Sequence, residues 1–272
     1  MTTAHPSRTI TVGNAPFAVF VATQAEMKPL ARSLQPTRRS AYRSDAIVRF
    51  GIKGRDFLLA RTGVGPDNAA TAARRLFEET PIAAALSLGV AGGLSPQLRT
   101  GDLIVGNRTI LRRSSGQVLY GEKDSRLESF PCDPGLQDAA MTVIRRWDSR
   151  HCLGPILTVG RIAPTAEEKR RLAAESGAIA LDMESAAIAS AASACLVPFL
   201  AIRGVLDPVH EDLAVDFDQF LDERGEPQLL ALIRYLITHP FTLPTMVGLG
   251  LRTKTICARL GPLLQELSST LS

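Results

Sequence analysis

The chain predicts an α/β fold: a mixed, largely parallel central sheet flanked by helices, with a helical C-terminal extension. Short, continuous apolar runs recur along the sequence and are followed by helical periodicity, the alternation that builds parallel sheets. Residues are 45% hydrophobic but only 5% aromatic, so the core must be made of Ala, Val, Leu and Ile, which favours α/β packing over a sandwich. A length of 272 residues is enough to bury a substantial core.

Residues 1–15 read as a flexible arm, 16–238 as the main domain and 239–272 as the extension. The apolar run at 17–22 is the first strand, and Met27, Leu30, Ala31 and Leu34 give the helix after it, so Glu26 stands where strand passes to helix. Residues 46–49 and 57–60 read as a strand pair. Gly63-Val64-Gly65-Pro66 then enters a helix running through Leu76 and Phe77, with Pro66 suited to the first turn. The strand at 83–88 runs into Gly89, Gly92 and Gly93, which permit close backbone approach, and 102–105 continues the sheet. Residues 111–134 are polar, charged and aperiodic, and read as a long loop or flap. A helix at 136–147 precedes a strand at 156–159. Thr165 is the expected N-cap of a helix at 166–176, with Glu168 completing a capping box.

In Ala180-Leu181-Asp182-Met183-Glu184-Ser185-Ala186-Ala187, an apolar run gives way to carboxylates and then to a small-residue helix. Glu184 is expected in the first helical turn, where the helix dipole favours negative charge; an acidic residue there is also a common stabilising device. The strand at 198–202 ends near another carboxylate, Asp207. Because ligands of parallel sheets bind outside the carboxyl ends of the strands, Glu26, Glu184 and Asp207 are expected to converge on one edge. Beyond Val209 a polar stretch leads to an apolar helix at 229–237 and a basic segment at 246–264.

Net charge is +4 with a pI near 9.1, compatible with an anionic partner but carrying no basic stripe interleaved with aromatics, so nucleic acid is not an expected partner. Cys132, Cys152, Cys195 and Cys257 are scattered, without zinc or disulfide spacing. The polar N-terminus and the absence of an apolar run of membrane-spanning length suggest a cytoplasmic setting. Gly63-x-Gly65 lacks the third glycine of a dinucleotide fingerprint, and no Walker A sequence occurs. His210-Glu211-Asp212 has no second histidine at ligand spacing, and Ser185 and Ser190 lie in no nucleophile elbow. No cofactor or metal is assigned.

Ala22-Thr23-Gln24-Ala25-Glu26-Met27, Gly63-Val64-Gly65, Gly89-Val90-Ala91-Gly92-Gly93-Leu94, Gly101-Asp102-Leu103-Ile104-Val105, Asp182-Met183-Glu184 and the run from Arg203 to Asp207 resemble, in order and spacing, the nucleoside phosphorylase and nucleosidase superfamily. Within it the chain is most similar to the methylthioadenosine/S-adenosylhomocysteine nucleosidase branch. Asp207-Pro208, Pro240, Pro244 and the Leu-Arg pattern resemble the tail of the hopanoid-associated phosphorylases, which are associated with removing adenine from the membrane lipid adenosylhopane.

The resemblance implies cleavage of an N-glycosidic bond through an oxocarbenium-like sugar. Asp207 matches the acid that protonates adenine at N7, a role that calls for a pKa raised by burial. Glu184 and Met183 match ribose contacts, and Glu26 with Arg203 matches the pair that positions the attacking water. Ile162 and its neighbours Gly160, Arg161 and Ala163 would border the base, with Gly92 beside it. Val90 and Leu206 stand where the hydrolytic branch commonly has serines. The phosphorolytic branch places an arginine and a serine where this chain has Ser87 and Val90, which favours water as nucleophile. A phosphorylase and a silent nucleoside-binding sensor are the rival readings. The resemblance also implies a homodimer. A lipid-linked adenosine substrate would need the segment at 236–264 either to cover its tail or to lie peripherally on an anionic membrane; packing on the domain or on a second subunit is the alternative.

Overall fold

The computed structural model describes residues 15–34, 38–42, 44–113, 126–147, 149–213 and 242–270. The expected N-terminal arm up to residue 14 and the expected helix at 229–237 lie outside them. In chain order the elements are β1 (Phe17–Val21), α1 (Gln24–Ser33), β2 (Arg38–Tyr42), β3 (Ser44–Ile52), β4 (Arg55–Arg61), α2 (Pro66–Glu79), β5 (Ala84–Gly93) and β6 (Leu103–Arg113). Then follow β7 (Arg126–Pro131), α3 (Pro134–Arg146), β8 (His151–Thr158), α4 (Ala166–Ser176), β9 (Ala180–Asp182), α5 (Ser185–Ala194), β10 (Phe199–Asp207) and α6 (Leu243–Thr270).

All strands among the described residues join one mixed sheet in the order β10-β6-β8-β9-β5-β1-β4-β3-β2, with β7 on β6. β10 also pairs with β5, so β5, β10, β6, β8 and β9 close a ring. β1, β5 and β10 run parallel; β1 ends just past the pairing of Phe20 with Ser87, and β5 and β10 continue beyond it to the pairing of Gly92 with Asp207. β1 is buried along its whole length because its residues are apolar on both faces, as the continuous run at 17–22 requires.

The expected loop at 111–134 is corrected at both ends. β6 extends to Arg113 and pairs antiparallel with β7, from Arg108 opposite Pro131 to Arg113 opposite Arg126. β7 is a rim strand whose residues are exposed or only half-buried, so its sequence needs no apolar run. Residues 114–125 lie outside the described residues.

The extension is packed into the domain. α6 lies on α1, α3, β5 and β10, and its Leu260, Leu263, Leu264 and Leu267 belong to the same core as the strands. Where it crosses β10 the strand carries Gly204, because any Cβ there would collide with Ile256. Gly204→Ala is therefore expected to destabilise the fold by about 1–3 kcal/mol through overpacking. Combining it with Ile256→Ala should cost less than the two single changes added; urea denaturation of the four proteins measures this, and strict additivity would refute the contact.

Candidate active site

Glu26 is fixed by the cap of α1. Its N–H donates to Thr23 Oγ1 at 3.2 Å, while its own Oε2 accepts from the N–H groups of Ala22 and Thr23, both at 3.0 Å, in a reciprocal capping box. Oε1 is turned the other way and accepts from Val90 N–H at 3.1 Å, on β5. A Cβ on Gly89 would come within 2.5 Å of that Oε1 and 3.6 Å of Arg203 Nη1, so the bare glycine leaves the space where these two groups approach one another. A local device of helix initiation thus delivers a buried carboxylate to the candidate site.

Arg203 on β10 has a different principal partner from the expected one. Its Nε donates to Asp182 Oδ2 at 2.8 Å and its Nη2 to Ser87 Oγ at 2.7 Å, with both members of the ion pair almost fully buried. Asp182 in turn accepts from Thr158 Oγ1 at 2.6 Å, from the Ser185 hydroxyl, and from the N–H groups of Glu184 and Ser185. Ala186 N–H donates to Thr158 Oγ1 at 2.9 Å. The first amides of α5 are therefore satisfied by β8 and β9, a task that would otherwise fall to a capping side chain.

Glu184 stands at the N-cap of α5, one residue before the first helical turn in which it was expected, and makes no side-chain cap bond. Its Oε1 accepts instead from Gly65 N–H at 2.9 Å, at the turn where Pro66 opens α2 as expected. Burial pushes the Glu184 pKa up from 4.5 to about 8, reinforced by the charges of Asp182 and Glu26 and opposed by the Gly65 N–H and Arg203.

Asp207 is the last residue of β10, paired in register with Gly92 of β5. Gly92 also faces Leu181 of β9, and a Cβ on it would lie 3.4 Å from Asp207 Oδ2. Burial raises the Asp207 pKa from 3.8 to about 6, against the opposing pull of Lys169, whose Nζ lies 2.6 Å from Oδ2. Lys169 was absent from the expected site. Its signal was its place at the buried spacing Ala166, Lys169, Leu172 inside a run of charges.

Thr165 caps α4 as expected, accepting from Glu168 N–H at 3.2 Å. The predicted capping box is not completed: the Glu168 carboxylate is bonded to Arg161. Ile162 is half-buried in the segment between β8 and α4, and Met183 is half-buried between Asp182 and Glu184. The structure thus gathers Glu26, Gly92, Glu184, Arg203 and Asp207 around the ends of β1, β5, β9 and β10.

A sequence model of the Phosphorylase superfamily matches residues 16–238. The chain belongs to that superfamily. Among relatives of this phosphorylase-superfamily protein, a 5'-methylthioadenosine/S-adenosylhomocysteine nucleosidase of Shewanella sediminis is 25% identical over 224 residues, 80% of this chain and 97% of the relative. One from Mycobacterium bovis is 28% identical over 208 residues, covering 66% of this chain and 80% of the relative. The Neisseria meningitidis nucleosidase of the same name, solved with methylthio-immucillin-A, superposes with a TM-score of 0.69 at 20% identity, over 93% of this chain and 98% of that one. Futalosine hydrolase of Helicobacter pylori reaches 0.67 at 14% identity, over 94% and 98%. At such identities the two structures establish the shared fold.

By strengthening the hold of Glu184 on its proton, burial ties the stability of the fold to pH. The folded state keeps this proton to higher pH than the unfolded chain, so stability is fully present below pH 4.5 and is lost as pH rises through about 8. Asp207 contributes in the same direction over a lower range, its proton being half lost at about pH 6. Glu184→Gln is expected to flatten the decline between pH 6 and 8, as read from urea midpoints; an unchanged slope would refute the assignment.

Proposed function

We propose that this protein is a nucleosidase that releases adenine from an adenosyl compound by hydrolysis. The observation that carries this reading is the gathering of three carboxylates in three different environments at the ends of β1, β9 and β10, around the glycines of β5. Asp207, with its raised pKa, donates a proton to N7 of the base. The C1′–N9 bond then breaks with its electron pair going to the purine. Glu184 accepts hydrogen bonds from the ribose hydroxyls, which become better donors as the ring turns cationic. Glu26 orients water behind C1′ and takes its proton, while Met183 and Ile162 line the sugar and base. Arg203 steadies this arrangement through Asp182 and Ser87. Relatives named as nucleosidases support the same chemistry.

The favoured substrate is adenosylhopane. Its support is the tail resemblance together with one stripe of α6, where Pro244, Val247, Leu251 and Lys254 are exposed at helical spacing. Val247 is 53% and Leu251 58% exposed, a face suited to lying on an anionic bilayer from which a lipid-linked nucleoside is presented. The other face of α6 is buried in the core, so truncation would disrupt the fold.

Adenine release from adenosylhopane, and from methylthioadenosine as soluble control, is expected without phosphate and to fall as pH rises above about 6 with loss of the Asp207 proton. Asp207→Asn should lower kcat by about 10²–10⁴ while nucleoside binding persists. Strict phosphate dependence, or an unaffected rate in the variant, would refute the reading. In flotation with phosphatidylcholine/phosphatidylglycerol vesicles, the wild-type chain should float and a Val247→Ser/Leu251→Ser double variant should not. Equal behaviour of the two would remove the membrane role.

A further inference from the structure

Lys169 is a buried charged group beside the site that the proposed chemistry leaves without a task. It projects from α4 with none of its surface exposed, and its ammonium has three acceptors within reach: Asp207 Oδ2 at 2.6 Å, Glu211 carbonyl oxygen at 2.7 Å and Pro208 carbonyl oxygen at 3.1 Å. An ammonium has three N–H bonds, so this cradle is saturated. A lysine so deeply buried needs compensation: the carbonyls of Pro208 and Glu211 supply it throughout, and Asp207 adds a full charge whenever it is ionised.

The segment that carries the acid is held from the same direction. Asp212 Oδ1 accepts from Ala166 N–H at 2.6 Å, at the start of α4, and Leu213 N–H donates to the Pro164 carbonyl at 2.7 Å. On its other side Arg252 of α6 donates to Glu211 Oε1 at 2.7 Å. Residues 207–213 are thus clamped between α4 and α6, and Lys169 is the one clamp that also touches the carboxyl group itself.

We propose that Lys169 is the positioning residue of the acid: its ammonium holds Asp207 Oδ2 as an acceptor, so that the proton destined for the leaving base is carried on Oδ1. This rests on the nucleosidase reading, in which Asp207 protonates the purine. The proton passes from the Asp207 carboxyl to N7 as the glycosidic electron pair enters the purine ring, and the resulting carboxylate is received by the Lys169 ammonium. The charged groups facing Asp207 are Lys169 from α4, Glu211 from its own segment and Arg252 from α6; Lys169 is the closest. Its charge stabilises the ionised carboxyl, easing proton release at the expense of losing the acid at lower pH.

The test is the pH profile of adenine release by Lys169→Gln and Lys169→Arg beside the wild type. In Lys169→Gln the basic limb of kcat/KM should move up by about 1 unit or more, since the cation that favoured the carboxylate is gone. On the acidic plateau kcat should fall about 10- to 100-fold from misplacement of the acid, with KM little changed. Lys169→Arg, which keeps the charge, should leave the limb in place. A uniform loss of rate with an unmoved limb would make Lys169 merely structural and overturn the proposal. A measurement needing neither a variant nor turnover guards against misfolding: in the wild-type protein the Lys169 15Nζ resonance should move as the Asp207 carboxyl titrates. An invariant resonance overturns the pairing. Absence of adenine release from the wild type, with this coupling intact, would instead count against the nucleosidase reading.

Discussion

The buried ion pair of Arg203 and Asp182 is the contact on which the candidate site depends. Either charge alone in that interior would carry a desolvation cost of several kcal/mol, so neither can move without the other. The pair is weak as a source of net stability and strong as a constraint. It gathers Ser87 from β5, Thr158 from β8, Asp182 from β9, Ser185 from α5 and Arg203 from β10 into one hydrogen-bonded cluster. Its consequence reaches Glu184. Because Asp182 and Thr158 take the opening amides of α5, the Glu184 carboxylate is released from capping and turns to Gly65 across the site.

The three carboxylates are kept distinct by their partners. Glu26 is gripped by backbone amides on both oxygens, a consequence of starting α1 beside β5. Glu184 has one backbone amide, and burial drives it toward its neutral form. Asp207 faces burial and a lysine that oppose each other, leaving it near the midpoint between acid and anion at about pH 6. Groups of one chemical type can take different roles in a reaction when their surroundings separate their proton affinities.

Much of this was legible in the sequence because the inner strands are apolar on both faces, and continuous runs such as 17–22 and 83–88 have few alternatives. The glycines of β5 and the carboxylates near the strand ends were visible for the same reason: each interrupts an otherwise apolar run. β7 was not legible, since a rim strand needs no apolar face and Arg126-Leu127-Glu128-Ser129 reads as loop. Lys169 was hidden by its neighbours, because Glu167, Glu168, Arg170 and Arg171 make the stretch look like a solvated helix face. Periodicity alone separates it from them. Arg203 was found but its main partner was not. A contact between residues 182 and 203 is set by the parallel pairing of β8 with β9 and of β5 with β10, with β9 antiparallel to β5, and no local pattern records that arrangement.

Charge pairing bears on the choice of nucleophile. Among the described residues two buried cations stand near the site, and each already has an acidic partner: Arg203 has Asp182, and Lys169 has Asp207. Glu26 and Glu184 are held by backbone amides, with no cation bonded to either among the described residues. Any charge that these two groups add is therefore negative, with Glu184 driven toward its neutral form below about pH 8. A phosphate dianion entering there would lose its hydration and meet like charge, with the nearest guanidinium already committed to Asp182 and Ser87. Water carries no such penalty. The same field attracts a sugar that becomes cationic only as its base departs, so its effect is greatest when the bond is breaking, which is the condition for accelerating the reaction rather than merely holding the substrate.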